Sequence, residues 1–257
     1  MFNEIFELFC KFARKTQTEL HNELIRILHY QYDYAIIDGG DYIIAKGDEK
    51  LGIALIAHLD TVYPEKTRHM MRIYRDDTIV WSPDGLGADD RAGIAMIIYL
   101  LKHTNFKPHI IFTHDEEKFG VGAEHLANYP LEIEKVKYII ELDRQGQKDC
   151  VFYDCDNSKF IQYIESFDFQ TDLGTFTDID ILCPEWGIAG VNLSVGYFNE
   201  HSYGEYWEMS YWLETYKKLI QMLEDSRHIT EPFIFIPSQK LLDYYLNYII
   251  EKEIDKK

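Results

Sequence analysis

Five short stretches of the chain carry side chains of the types that hold metal ions. His58-Leu59-Asp60 directly follows an apolar run, and residues two apart in an extended segment point to the same side, so both side chains can meet one site. Alone, such a pair is more often a hydrogen-bonded strand end than a ligand set. The stretch Gly85-Leu86-Gly87-Ala88-Asp89-Asp90-Arg91-Ala92-Gly93 puts two adjacent carboxylates just ahead of a helix. An N-cap accounts for one aspartate and leaves the other without a task. His114-Asp115-Glu116-Glu117 ends the run His109 to Thr113, where a solvated turn is the ordinary reading. Asp143 ends a further apolar run in the same way, and His201 lies in a loop containing Gly, Asn and Ser before a long helical stretch. Each stretch has a bland explanation by itself. Together they bring two histidines and several acids to strand ends and adjacent loops of one sheet, a donor set suited to divalent cations.

The elements that must position these residues are legible as periods. From Phe2 to Leu28 apolar residues recur at helical spacing, which predicts two amphipathic helices meeting around Thr16 to Thr18. A hairpin is expected over Tyr34 to Lys46, with Gly39-Gly40 at its turn, and a buried strand over Leu51 to Ala57. Ala88 to Lys102 has helical period, while His109 to Thr113 and Val136 to Leu142 are short apolar strands that end in acids. The last third predicts a strand at Val191 to Val195, a long helix near Glu205 to Leu223 and a Tyr-rich tail helix from Ser238 to about Lys252. Asp154 to Glu185 reads as loops around one short strand, forming a pocket wall. Strand and helix alternate, so the expected fold class is α/β, a three-layer sandwich with a largely parallel mixed sheet flanked by helices. In open sheets of that kind ligands gather beyond the carboxyl ends of the strands, where the candidate residues sit.

Bulk composition bounds the rest. The expectation is a single catalytic domain over residues 1–257 with a helical tail at about 226–257, since this length supports one substantial core. A hydrophobic fraction of 46%, with 19 Tyr and 15 Phe, leaves little room for extended disorder. The formal charge of -18 argues against nucleic acid and anionic membranes as partners. Four cysteines without a Cys-x-x-Cys pair predict reduced thiols. Met1 to Tyr30 has no apolar run long enough for a signal peptide or a span, so a soluble cytoplasmic protein is expected.

From roughly Leu8 to Leu223 the sequence resembles the co-catalytic zinc exopeptidases, a superfamily that includes peptidase T, acetylornithine deacetylase-like amidohydrolases and leucyl aminopeptidases. The residues that carry the resemblance are Ala57-His58-Leu59-Asp60-Thr61-Val62, Gly87-Ala88-Asp89-Asp90-Arg91-Ala92-Gly93, Asp115-Glu116-Glu117, Asp143 and His201. The resemblance implies two divalent ions, zinc with cobalt or manganese as alternatives. His58 and Asp143 would hold one, Glu117 and His201 the other, and Asp89 would bridge them. Glu116 would be the general base, Asp60 would lie behind His58 and fix its ring, and a cis peptide is expected before Asp90. Three carboxylates and two neutral imidazoles carry about -3 against about +4 from two zinc ions, which leaves room for one bridging hydroxide.

The implied activity is hydrolysis of an amide bond in small peptides. Removal of an acyl group from an amino acid, or a metal-binding interaction protein without catalysis, are the alternatives. Only 57 residues separate Asp143 from His201, too few for the lid domain that some relatives insert there, so an oxyanion-stabilising residue must come from elsewhere, with Tyr203 and Tyr197 nearest. Arg91 or Arg144 could bind a substrate carboxylate. Gly174-Thr175-Phe176-Thr177-Asp178 loosely resembles a substrate-side segment, which makes Asp178 a further candidate. The resemblance implies a glycine two residues after Glu117; here Lys118-Phe119 precede Gly120, so relative to that pattern the entry to the next helix is expected to shift by one residue.

Overall fold

The structure, a computed structural model, describes residues 1–129, 133 and 135–244. In chain order the strands of the main sheet are β1 (Ala35–Asp38), β2 (Tyr42–Lys46), β3 (Ile53–His58), β6 (His109–Thr113), β7 (Tyr138–Arg144), β8 (Asp149–Val151), β9 (Gln170–Thr171) and β10 (Gly190–Ser194). Four short strands make a second sheet: β4 (Tyr74–Asp76), β5 (Ile79–Trp81), β11 (Tyr197–Phe198) and β12 (Tyr206–Glu208). The helices are α1 (Phe2–Ala13), α2 (Gln17–Arg26), α3 (Ala88–His103), α4 (Val121–Ala127), α5 (Ser158–Glu165), α6 (Asp178–Trp186) and α7 (Met209–Asp225).

The main sheet runs β1-β2-β6-β3-β7-β10-β8-β9, and its centre, β6-β3-β7-β10, is parallel. The outer pairs β1 with β2, β2 with β6 and β10 with β8 are antiparallel, as expected for a mixed sheet. Residues of the central strands alternate between two helical layers because successive side chains leave a strand on opposite faces. Ile53, Leu55, Ala57, Ile110, Phe112, Ile140 and Leu142 join the large core that also includes residues of α1, α3, α5 and α7. Ala54, Ile56, Ile111 and Ile139 face a smaller core with Ala123 and Leu126 of α4 and Ile179 and Leu182 of α6.

Local signals explain where the elements start. Thr16 caps α2 through a capping box with Glu19, which ends α1 and turns the chain. From Ala88 to Leu101 every residue of α3 is buried, because the sheet covers one side of this helix and α1 and α7 pack against others. Gly93 allows that helix to approach β7: a Cβ there would meet the Leu142 carbonyl at 2.2 Å. Phe9 stacks on Trp207 and Trp212 donates from its indole to the Ala92 carbonyl. Each such buried ring contributes on the order of 1.5–3 kcal/mol of transfer free energy.

Two expectations need correction. The segment 154–185 holds two helices, α5 and α6, rather than loops around a single strand. The long C-terminal helix begins at Met209, not near Glu205, because Tyr206–Glu208 pairs with β5 as a strand. Of the tail helix expected to reach about Lys252, residues 239–244 are helical and the remainder lies outside the described residues. The four cysteines are free and buried, and among the described residues no helix is long and apolar enough to cross a membrane.

Candidate metal centre

The carboxylate of Asp89 lies between two imidazoles. Its Oδ1 is 2.9 Å from His58 Nε2 and its Oδ2 is 3.1 Å from His201 Nε2. His58 Nε2 is also 3.5 Å from Asp143 Oδ1, and His201 Nε2 is 3.0 Å from Glu117 Oε1. The five side chains are thus brought together around Asp89, His58 and Asp143 on one side of it and His201 and Glu117 on the other. They arrive from the ends of β3 and β7, the start of α3, the turn Glu116–Lys118 after β6, and the loop between β11 and β12.

Four of the five, His58, Asp89, Glu117 and Asp143, are braced at the side chain or at the backbone that carries it. Asp60 places its Oδ1 3.1 Å from His58 Nδ1, which turns Nε2 toward Asp89, and accepts the Glu116 and Glu117 backbone N–H groups on Oδ1 and Oδ2. Asp90, after a cis peptide bond as expected, accepts the Gly93 N–H at 2.9 Å, so it caps the helix and leaves Asp89 to face the histidines. Asn192 of β10 accepts the Asp143 N–H and donates to the Asp143 carbonyl. Glu205, fully buried, accepts the backbone N–H groups of Gly87 and Asp89 at 2.8 and 3.1 Å. Neither Asn192 nor Glu205 was found from sequence, since each is a single polar residue with no companion at a telling spacing.

Charge and burial give the centre its character. Burial alone would lower His58, but the carboxylates of Asp143, Asp60 and Asp89 hold it well above its ordinary value. Asp89 and Glu117 push His201 up to about 11. Burial, reinforced by the Asp89 charge, raises Asp143 to about 7, and burial with Asp143, Asp178 and Asp89 nearby raises Glu116 to about 9. Protons cling to this site because too many carboxylates share a space withdrawn from water.

The donor set fits divalent cations. Glu117 Oε1 is buried without a hydrogen-bond partner although His201 Nε2 is 3.0 Å away, so the two atoms face a common point rather than bonding each other. Ligand-type atoms of His58, Asp89 and Glu117 lie within 4.8 Å of one another, and so do those of His58, Asp90 and Asp143. Imidazole nitrogens and carboxylate oxygens are the ligands of zinc and its neighbours.

A cleft of about 100 Å³ opens onto this centre, lined by Asp89, Glu116, Asp143, Tyr153, Tyr197 and His201 among others. Glu116 thus faces the space a substrate would enter. Tyr197 lines it too, with its hydroxyl donating to Asp143, whereas Tyr203 is exposed and packs beside Tyr63 in a neighbouring groove. Arg144 lines the cleft, donating to Asp172 and the Leu173 carbonyl.

Two weaker candidates are placed elsewhere. Arg91 is buried and donates to the carbonyls of Leu59, Asp60 and Lys15, which leaves it a role in the fold rather than at a substrate. Asp178, fully buried at the start of α6 and bonded to the Thr113 hydroxyl, is closed off from the cleft. After Glu117, Phe119 and Gly120 both take left-handed conformations before α4 begins at Val121.

The sequence profile of peptidase family M28 matches residues 42–171, a stretch that contains His58, Asp89, Glu116, Glu117 and Asp143. The chain belongs to peptidase family M28. His201, the remaining ligand candidate of this M28 chain, lies beyond the matched stretch. No curated protein sequence is matched by it. Among solved structures it is similar to aminopeptidase PepT from Bacillus cereus (TM-score 0.69, 14% identity, 88% of this chain and 99% of that one). It is also similar to a tripeptidase from Staphylococcus aureus (TM-score 0.67, 12% identity, 89% and 99%) and to an aminopeptidase from Desulfurococcus kamchatkensis (TM-score 0.63, 12% identity, 89% and 99%). At these identities the likeness establishes the co-catalytic zinc exopeptidase fold for this M28 chain.

Proposed function

We propose that the chain is a two-metal hydrolase that cleaves an amide bond in small peptides, as an exopeptidase, with Glu116 as general base. The observation that carries this reading is the Asp89 carboxylate held between His58 with Asp143 on one side and His201 with Glu117 on the other. A pair of divalent ions, zinc first, bound there would polarise the scissile carbonyl and make a water easier to deprotonate. With cations beside it to favour its ionised form, Glu116, buried and facing the cleft, would take the proton from the attacking water and return it to the leaving amine. Asp60 keeps His58 in the orientation that presents Nε2, and Glu205 holds the backbone that carries Asp89. Tyr197 keeps Asp143 in place, and its position in the cleft makes it the candidate to steady developing charge on the carbonyl oxygen.

Removal of an acyl group from an amino acid is the second reading. Arg144 favours it, because a guanidinium lining the cleft suits a free carboxylate, which would compete with Asp172 for it. The same group could serve the carboxyl end of a short peptide. Within this reading residues 1–257 form one catalytic unit, since the metal-facing side chains of the main sheet, of α3 and of the loop between β11 and β12 meet at one centre. The four free, buried thiols support a reducing compartment, the cytoplasm.

The test is a panel of di- and tripeptides set beside N-acetyl amino acids, with zinc, cobalt or manganese added to metal-depleted protein. Two ions per chain and cleavage of peptides are expected. Activity on the acetylated panel alone overturns the peptidase assignment, and fewer than two ions per chain at saturating zinc overturns the two-metal centre.

A further inference from the structure

The loop that carries Glu116 and Glu117 is held from two sides. From inside, the Asp60 carboxylate takes the N–H groups of both residues. From outside, α2 closes on the two residues just before them. Gln17 donates from Nε2 to Asp115 Oδ1 and accepts the Asp115 backbone N–H on Oε1, both at 3.0 Å. One turn further along, His21 Nδ1 lies 2.8 Å from His114 Nε2, while its Nε2 lies 3.1 Å from Asp38 Oδ1. The Asp38 carboxylate oxygen serves as the acceptor, so His21 donates to it through Nε2 and accepts from His114 through Nδ1. The contact is thereby directional.

Three features show that this brace is built rather than incidental. Asp115 has a φ of 55°, a left-handed conformation that an aspartate adopts at some cost and that its surroundings must hold. His21 is buried, although it issues from a helix whose outer residues are exposed. The start of α2 is itself fixed: Thr16 and Glu19 form the capping box, Glu65 accepts the Gln17 N–H at 2.7 Å, and Arg91 donates to the Lys15 carbonyl. Moreover, α2 precedes residue 42, where the match to the family begins, so the brace comes from a part of the chain outside the matched stretch.

We infer that α2 is a positioning device for the metal centre, in which Gln17 and His21 set the place of Glu116 and Glu117 without touching substrate or metal. The inference rests on the proposed function for its kinetic consequence but not for its structural one. A left-handed Asp115 released from Gln17 would relax toward more populated backbone angles and carry the next two residues with it. That shift would misplace the base and one ligand together.

The test uses the full chain. Gln17→Ala is expected to speed amide hydrogen exchange at Glu116 and Glu117 while leaving amides of the central strands unchanged. It should weaken binding of one of two zinc ions by about 10- to 100-fold, the effect of losing a partner behind a ligand. In the kinetic arm, kcat should fall with KM nearly unchanged. Gln17→Glu sets two carboxylates against each other and should be worse. Combining it with Asp115→Asn exchanges donor and acceptor and restores both hydrogen bonds to residue 17 at the loss of the exposed Lys118 ion pair to the same oxygen, and should recover exchange protection and zinc affinity over Gln17→Glu alone. Wild-type exchange at Glu116 and Glu117 in Gln17→Ala overturns the inference, as does failure of the double variant to recover over Gln17→Glu alone. A wild-type protein that binds two ions but cleaves no peptide would instead sink the proposed function and leave the exchange and zinc measurements to decide the brace.

Discussion

His58 and His109 are both fully buried imidazoles on adjacent parallel strands, and their environments send them in opposite directions. In the register of β3 and β6, His109 pairs with Ala54 at the start of the strands, and His58 pairs with Thr113 at their end. Burial lowers His109 to about 4; its Nδ1 accepts the Gly47 N–H, which leaves the neutral ring as the bound form. His58 suffers a larger burial yet is held well above its ordinary value by Asp143, Asp60 and Asp89. Burial by itself therefore makes a structural histidine. A reactive centre needs burial plus a surplus of charge that only a counter-ion can relieve, and in this sheet that surplus is confined to the carboxyl end of the strands.

The largest effect expected from breaking this difference is at Glu116. Glu116→Gln keeps the size of the side chain and the backbone N–H bonded to Asp60, but it cannot accept the proton of a water. Turnover should fall by about 10²- to 10⁴-fold while zinc content stays near that of the wild type. Joint loss of metal and turnover would mean that Glu116 is itself a ligand, and the assignment of roles at the charged end would have to be redrawn.

Removing the counter-ions sharpens the comparison next. In metal-free protein His58 and His201 keep protons that the unfolded chain releases above about pH 6.5. Asp143 and Glu116, raised to about 7 and about 9, act in the same sense from lower pH. The native state thus binds more protons than the unfolded state, and stability must fall as pH rises. Asp89 and Asp60, both lowered, oppose this only below about pH 4. Urea unfolding of chelated protein should show stability declining from pH 6.5 to 8.5, and saturating zinc should abolish the decline by replacing the protons. A chelated protein whose stability is flat over that range would remove the claim that carboxylates are crowded at this end.

How much of this was legible in the sequence follows the same division. Three of the ligand candidates could be read because each stands at the end of an apolar run or at a helix start, where local pattern fixes its place: His58 at the end of β3, Asp143 within β7, Asp89 at the start of α3. The outer brace could not. Asn192 reads as one more strand residue, Glu205 as a loop acid and Gln17 as the first residue of a helix. What each does depends on a partner 49, 116 or 98 residues away. The second sheet was missed for a related reason. Its strands are two or three residues long, too short to show alternation, and β12 reads as the start of α7 because Met209 and Trp212 continue an apolar period. Within 154–185, α5 spans barely two turns and α6 carries Pro184, so the propensity signal was weak where tertiary packing decided the outcome.

The smallest effect is expected at the uncharged end, and it isolates what burial alone does. His109 has a folded value near 4 against about 6.5 unfolded, so between these pH values the unfolded chain takes up a proton that the native ring refuses. The contribution of His109 should therefore fall as pH drops from 6.5 toward 4, by an upper limit of about 3 kcal/mol, the reverse of the trend at His58 and of the raised Asp143 and Glu116 over the same range. His109→Gln retains an acceptor for the Gly47 N–H and cannot titrate. It should cost a small amount of stability near pH 7, and the difference from wild type should shrink or reverse toward pH 4 because the variant lacks the His109 penalty, without changing zinc affinity or turnover. If the difference between wild type and His109→Gln is the same at pH 6.5 and pH 4, burial of His109 carries no such linkage. The two buried histidines would then differ in degree and not in kind.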